Sequence, residues 1–133
     1  MAITGGCLCK AVRYSFAAEP AWARTCWCRV CQYQGGGNGT VNAAFPRESL
    51  TAQGELSVRE MTADSGNTMK RHFCPKCGTP VFVESSGRPT TITVRVGTLD
   101  DPSAVKPTST IWTRAAPTWA CFDETLPKVE AQP

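Results

Sequence analysis

Arg71-His72-Phe73-Cys74-Pro75-Lys76-Cys77-Gly78-Thr79-Pro80 is the stretch that decides how this chain is built. A C-x-x-C loop turns both sulfurs toward one point, and Gly78 lets the chain bend tightly after the second. A redox dithiol of the thioredoxin type opens a helix, whereas Gly78-Thr79-Pro80 argues against one. The stretch therefore reads as a zinc knuckle that supplies two thiolates and needs two more. Cys7-Leu8-Cys9 completes the set, so Cys7, Cys9, Cys74 and Cys77 are expected to hold one zinc ion. A site with all its positions filled by protein is structural. It would pin an N-terminal hairpin to the middle of the chain.

Outward from the knuckle lies a second group, Cys26-Trp27-Cys28-Arg29-Val30-Cys31. It offers three closely spaced ligands and no obvious fourth. Three protein ligands with an open position are the arithmetic of a catalytic zinc, and an open zinc lowers the pKa of a bound thiol. Two Zn2+ ions per chain are therefore expected. Two other outcomes stay open: a second structural site closed by Cys121 or His72, or three thiols without metal. His72 stands beside the knuckle for steric reasons on this reading, and Cys121 is taken as a small buried hydrophobe.

The rest of the sequence fixes the class. With 133 residues, the chain has the length of one ordinary domain. We read 1–126 as a single zinc-binding domain and 127–133 as a flexible tail. Gly and Pro are spread along the whole chain, which favours short strands over long helices. Period-two alternation marks half-buried strands at Val12-Tyr14-Phe16, Val41-Ala43-Phe45, Leu56-Val58 and Ile92-Val94-Val96. Pro80–Val83 reads as a short buried strand, Asp64-Ser65-Gly66-Asn67 as a turn, and Arg29 to Gln34 as one short helical turn. The expected fold is mainly β: several small coiled antiparallel sheets organised around zinc, with little helix.

Charge and hydropathy exclude other classes. A net charge of +3 with no basic run longer than Lys70-Arg71 gives no sign of nucleic acid. Val30 to Pro46 is the longest uncharged stretch, but its Gly, Gln and Asn residues do not make the ~20 apolar residues of a membrane span. The N-terminus has neither a basic n-region nor an apolar h-region, so the expected location is the cytoplasm. There, cysteines in this number more often bind metal than form disulfides.

Gly5-Gly6-Cys7-Leu8-Cys9-Lys10-Ala11-Val12-Arg13-Tyr14 resembles the opening motif of the glutathione-dependent formaldehyde-activating enzymes, a family that includes the centromere protein V type. The C-x-C-x-x-C segment, the knuckle, Gly97-Thr98-Leu99-Asp100-Asp101-Pro102 and Ile111-Trp112 are similar to later landmarks of that family, in order along nearly the whole chain. The resemblance implies coiled β-sheets with a structural zinc on Cys7, Cys9, Cys74 and Cys77 and a catalytic zinc on Cys26, Cys28 and Cys31. It also implies the family reaction, a carbon–sulfur lyase chemistry that joins glutathione and formaldehyde into S-hydroxymethylglutathione. Expected partners are therefore a small thiol such as glutathione and a small aldehyde.

Two positions depart from the family pattern. Trp27 and Thr110 stand where members often carry histidine, which predicts weak turnover of formaldehyde with glutathione and a different substrate. Trp27 and Trp112 are candidate pocket walls, and Gly35-Gly36-Gly37 either lets substrate approach the backbone or is a plain surface turn. A non-catalytic, zinc-stabilised binding module is the alternative to an enzyme. A zinc store or redox sensor is a third reading, because exposed low-pKa thiolates oxidise readily.

Overall fold

The computed structural model describes residues 2–133. Its strands are β1 (Ile3–Gly6), β2 (Arg13–Phe16), β3 (Trp22–Cys26), β4 (Thr40–Pro46), β5 (Leu50–Gln53), β6 (Ser57–Thr62), β7 (Thr68–Phe73), β8 (Pro80–Ser85), β9 (Thr91–Arg95), β10 (Thr110–Ile111) and β11 (Lys128–Val129). A single α-helix among the described residues, α1 (Arg29–Gln34), follows β3. The fold is mainly β, as the alternation implied. Among the described residues, no helix is long and apolar enough to cross a membrane.

The strands form two sheets. One has the order β1-β2-β5, and the other the order β11-β10-β3-β4-β9-β8-β7-β6. Side chains alternate across a strand, so register alone divides the residues of the large sheet between two faces. Phe45, opposite Ile92, and Phe82, opposite Val94, lie on the face turned toward the small sheet. From the small sheet, Phe16 stacks on Phe45 with ring centroids 4.0 Å apart and meets Phe82 edge-on at 6.3 Å. Tyr14 adds edge contacts to Phe82 and Phe16, and its hydroxyl shares a 2.6 Å hydrogen bond with Thr98. Val12, Tyr14 and Phe16 thus face one core, as their spacing predicts.

Gly5 shows how closely β1 approaches the turn after β9. A Cβ there would lie 2.3 Å from the Tyr14 hydroxyl and 2.4 Å from the Thr98 carbonyl oxygen. Only glycine fits at such a distance.

Three expectations are corrected. The sheets are not wholly antiparallel: β10 runs parallel to both β3 and β11. Residues 127–133, read as a flexible tail, instead carry β11, which pairs Lys128 with Thr110 and Val129 with Ile111. Gln132 also accepts a 3.0 Å bond from the Trp112 indole. Val129 of β11 docks on the second cysteine cluster, a tertiary contact that a seven-residue window does not contain. Finally, Val58 is exposed, because β6 is the edge of the large sheet and carries no buried face.

Phe16 is fully buried and meets three aromatic rings across the two sheets. Phe16→Ala is expected to cost about 3–5 kcal/mol in urea unfolding. A loss below about 1 kcal/mol would show that this aromatic stack does not hold the sheets together.

Candidate metal centres

Two hairpin turns make the first cluster. Cys7 and Cys9 sit in the β1–β2 connection, and Cys74 and Cys77 in the β7–β8 connection. Their four sulfurs all lie within 4.8 Å of one another, with Cys7 to Cys9 at 3.6 Å and Cys9 to Cys74 at 3.8 Å. Zinc–sulfur bonds of about 2.3 Å in a tetrahedron put neighbouring sulfurs about 3.8 Å apart. A disulfide needs about 2.05 Å, and every cysteine here is free. The donor set therefore fits a tetrahedral metal ion.

Local geometry explains how the sulfurs meet. Gly78, in the left-handed region at φ 78°, lets its N–H reach back to the Cys74 carbonyl at 2.8 Å. Lys10 takes the same conformation, at φ 68°, to close the turn on the Cys7 carbonyl. The Val12 N–H donates to the Cys7 sulfur at 3.3 Å. The Thr79 hydroxyl accepts from the Leu8 N–H at 3.2 Å, leaving its proton for the Cys77 sulfur at 3.1 Å. Thr79 thereby joins the two turns, and its hydrogen bonds are the leading cause of a Cys77 thiol lowered to about 5.

The second cluster is built where β3 runs into α1. Cys26 ends β3, Cys28 caps α1, and Cys31 lies in its first turn. The Cys28 sulfur accepts the Cys31 N–H at 3.4 Å, so the helix cap itself aims one candidate ligand. The three sulfurs lie within 4.8 Å of one another, and no fourth His, Cys, Asp or Glu ligand atom among the described residues joins them. Bonds to Cys26 and Cys28, with Arg95 and Thr40 adding to them, hold Cys31 far below the ordinary thiol range. Hydrogen bonds to Cys28 and Cys31, together with burial, push Cys26 up. Three thiols this close do not all ionise without a cation to share, so this donor set also fits a metal.

All seven cysteines singled out by spacing come together in these two groups. Cys121 does not: it is exposed, in a loop after β10, rather than buried. His72 is bonded to Glu84, which also pairs with Arg47, and joins neither cluster. Gly36 and Gly37 take left-handed conformations in the exposed turn that ends α1, and a side chain at either would meet nothing within 4 Å. Trp112 packs with Cys26, Cys28, Cys31, Ile111 and Val129. Trp27 instead sets its indole edge-on to Trp119 and Phe122, outside that group. Thr110 pairs with Thr25 while Ile111 pairs with Cys26, so Thr110 lies on the other face of the sheet from Cys26. The structure therefore takes away the ground on which these two positions were expected to alter the reaction.

Three residues around this centre escaped the sequence reading. Arg95 is buried and donates to Thr40 at 3.0 Å, to Asn42 at 2.5 Å and to Gln34, with Cys31 at 3.9 Å. Arg71 points from β7 on the same face. Buried Gln32 donates to the carbonyls of Trp27 at 2.8 Å and Ala115 at 2.9 Å, tying α1 to the C-terminal segment. Alternation placed Arg95 outward from the core, but that face of the sheet is covered as well.

The family model of the glutathione-dependent formaldehyde-activating enzyme matches residues 2–115. The chain belongs to that family. A Rhodobacter sphaeroides protein of known crystal structure shares the fold, with a TM-score of 0.59 and 24% identity over 78% of this chain and 91% of that one. Membership points to chemistry between a thiol and an aldehyde.

Gln32→Leu removes the donor for two carbonyls at the base of the second cluster. It should cost about 2 kcal/mol in urea unfolding. It should also weaken metal retention at Cys26, Cys28 and Cys31, measured by competition with a chromophoric chelator. Unchanged stability and retention would show that Gln32 does not support the site.

Proposed function

We propose that the protein is a zinc enzyme that adds a small thiol to a small aldehyde, or reverses that addition, at Cys26, Cys28 and Cys31. The observation that carries the reading is a three-sulfur cluster with no fourth His, Cys, Asp or Glu ligand among the described residues, in a chain of the formaldehyde-activating family. Cys7, Cys9, Cys74 and Cys77 would hold a second, structural zinc. Bound at the open cluster, zinc supplies the Lewis acidity that ionises a thiol at neutral pH. The reaction forms one carbon–sulfur bond, and the proton lost by the thiol ends on the former carbonyl oxygen.

The chain's own residues contribute the setting. Ile111, Trp112 and Val129 cover the cysteines with apolar surface that keeps water from competing for the aldehyde. Thr40 and Arg95 hold negative charge on Cys31, and Gln32 fixes the helix that carries Cys28 and Cys31. The eight free cysteines suit a reducing compartment, and we place the protein in the cytoplasm on that ground.

Formaldehyde with glutathione is the first pair to assay, since neither Trp27 nor Thr110 stands among the cysteines. Adduct formation above the spontaneous rate, lost in a folded Cys28→Ser variant, is the expected result. No acceleration with a range of thiols and aldehydes would favour the zinc-stabilised binding module instead.

The two metals should also leave differently. A chelator enters an open position and displaces ligands stepwise, while a closed site offers no entry. Mild chelation should take about one zinc per chain quickly with circular dichroism unchanged, and the second slowly with the fold. Cys28→Ser should remove only the fast phase, and Cys77→Ser should give molten or insoluble protein. A single phase in the unaltered protein contradicts the assignment.

A further inference from the structure

Strand register gathers four arginines on the face of the large sheet that carries the three-cysteine cluster. Arg24 on β3 is opposite Asn42 on β4, which is opposite Arg95 on β9. Arg71 on β7 is opposite Val83, and Val83 is opposite Thr93, two residues before Arg95. Cys26 stands two residues after Arg24 on the same face. Arg88 reaches over from the β8–β9 connection, and both Arg24 and Arg88 lie over the Trp22 ring, at 3.8 Å and 5.6 Å. Those two are half-buried, whereas Arg95, on a central strand, is buried.

Arg95 and Arg71 are held differently. Neither has a carboxylate within salt-bridge distance among the described residues. Burying a guanidinium without a counter-charge is costly. Arg95 is 8% exposed, and Thr40, Asn42 and Gln34 offer it neutral oxygens that accept hydrogen bonds without cancelling charge. Its Nη1 also points at the Cys31 sulfur, 3.9 Å away. The Nε atoms of Arg95 and Arg71 are buried with no hydrogen-bond partner. Arg71 has the Met61 sulfur, a weak acceptor at 3.4 Å, to hold its Nη1. Burial lowers the Arg71 pKa first and Arg95 lowers it further, while Cys31, Cys28 and Cys26 raise it. The two arginines and the three sulfurs therefore lie within electrostatic reach of one another. Both guanidiniums sit beside side chains that become anionic on binding a metal ion.

We propose that Arg95 and Arg71 are positioning residues that set the charge of the three-cysteine centre: Arg95 offsets the thiolates that hold a divalent ion, and Arg71 offsets the added charge of an anionic fourth ligand. The inference rests on the proposed open metal site at Cys26, Cys28 and Cys31, and adds which residues decide the kind of group that occupies its open position. Three thiolates on a divalent ion leave one negative charge, and Arg95, against Cys31, matches it. A neutral fourth ligand leaves that balance as it is. An anionic one adds a second negative charge, and Arg71, with its Nε unpartnered and a single weak acceptor on Nη1, is the guanidinium free to match it. Both arginines act through charge in a setting that solvent screens poorly, rather than through a bond to the reacting atoms.

Loading the full chain with Co2+ makes the centre visible through sulfur-to-metal charge-transfer absorption, with the closed four-cysteine site as a constant background. The loaded chain is titrated at one fixed pH with 2-mercaptoethanol, which binds as an anion, and with imidazole, which binds as a neutral group. Arg71→Gln should weaken 2-mercaptoethanol about ten-fold and leave imidazole unchanged. Arg71→Lys should restore most of the loss, because charge rather than the guanidinium fork carries the effect. Arg95→Gln should weaken Co2+ retention at the three-cysteine centre about ten-fold against a chelator, with circular dichroism and the four-cysteine absorption intact, and Arg95→Lys should recover part of it. Arg88→Gln, which removes a charge from the half-exposed end of the face, should change neither readout. Equal loss of both ligands in Arg71→Gln, or the same selective loss in Arg88→Gln, overturns the role of Arg71. Native retention by Arg95→Gln, or retention by Arg95→Lys no better than by Arg95→Gln, overturns the role of Arg95. In each of these cases the open metal site itself still stands. If the native chain binds neither ligand at this centre, the open site fails and the inference fails with it.

Discussion

The convergence of four cysteine sulfurs from two hairpin turns is the constraint on which the rest of this structure depends. The β1–β2 turn belongs to the small sheet, and the β7–β8 turn to the large one. Bringing them together, with the Cys9 and Cys74 sulfurs 3.8 Å apart, fixes the distance between the two sheets at one end. The aromatic stack of Phe16 on Phe45 fixes it over the face. Closing a loop from Cys9 to Cys74 costs chain entropy that a single hairpin contact does not recover, whereas a shared ion does. Gly5, Lys10 and Gly78 are the local concessions: one close approach and two left-handed turns, each of which brings a sulfur or a strand to its place.

This constraint also separates the two clusters. Once the small sheet covers one face of the large sheet, the other face is free to carry chemistry. Cys26, Arg24, Arg95 and Arg71 share that second face by register alone. The four-cysteine cluster lies where turns of the two sheets meet, and the three-cysteine cluster lies on the other face, beside α1 and Arg95. A disturbance of the first must pass through the core, while a change at the second need not.

Much of this was legible from the residues because cysteine spacing is a local signal. C-x-C, C-x-x-C and C-x-C-x-x-C each specify which sulfurs can meet within one turn, and the seven cysteines do meet. Alternation also placed Val12, Tyr14 and Phe16 on the core face. What stayed hidden depends on long-range pairing. Arg95 reads as an outward residue of Ile92–Val96, yet it is buried, since a central strand has both faces covered. Arg24 lies 47 positions before Arg71, and Arg88 17 after it, so no short sequence window shows them as one basic face. Cys121 reads as a small hydrophobe by residue type but falls in an exposed turn. Trp27 and Thr110 look like replacements within a site, yet one packs on Trp119 and Phe122 and the other faces away from Cys26.

The C-terminal segment completes the second centre although it contains little regular structure. Ile111 and Trp112 pack on the cysteines, Ala115 accepts from Gln32, and Val129 closes over the same cluster through the short parallel strand β11. The family match ends at residue 115, before Trp119, Phe122, Val129 and Gln132. The seven clustered cysteines and every strand but β11 lie within the matched region, while Val129 of the wall lies beyond it. Under the proposed function, substrate choice belongs to the wall and bond-making to the sulfurs. Under that proposal, a change in Val129 or its neighbours would alter the wall without moving a single cysteine.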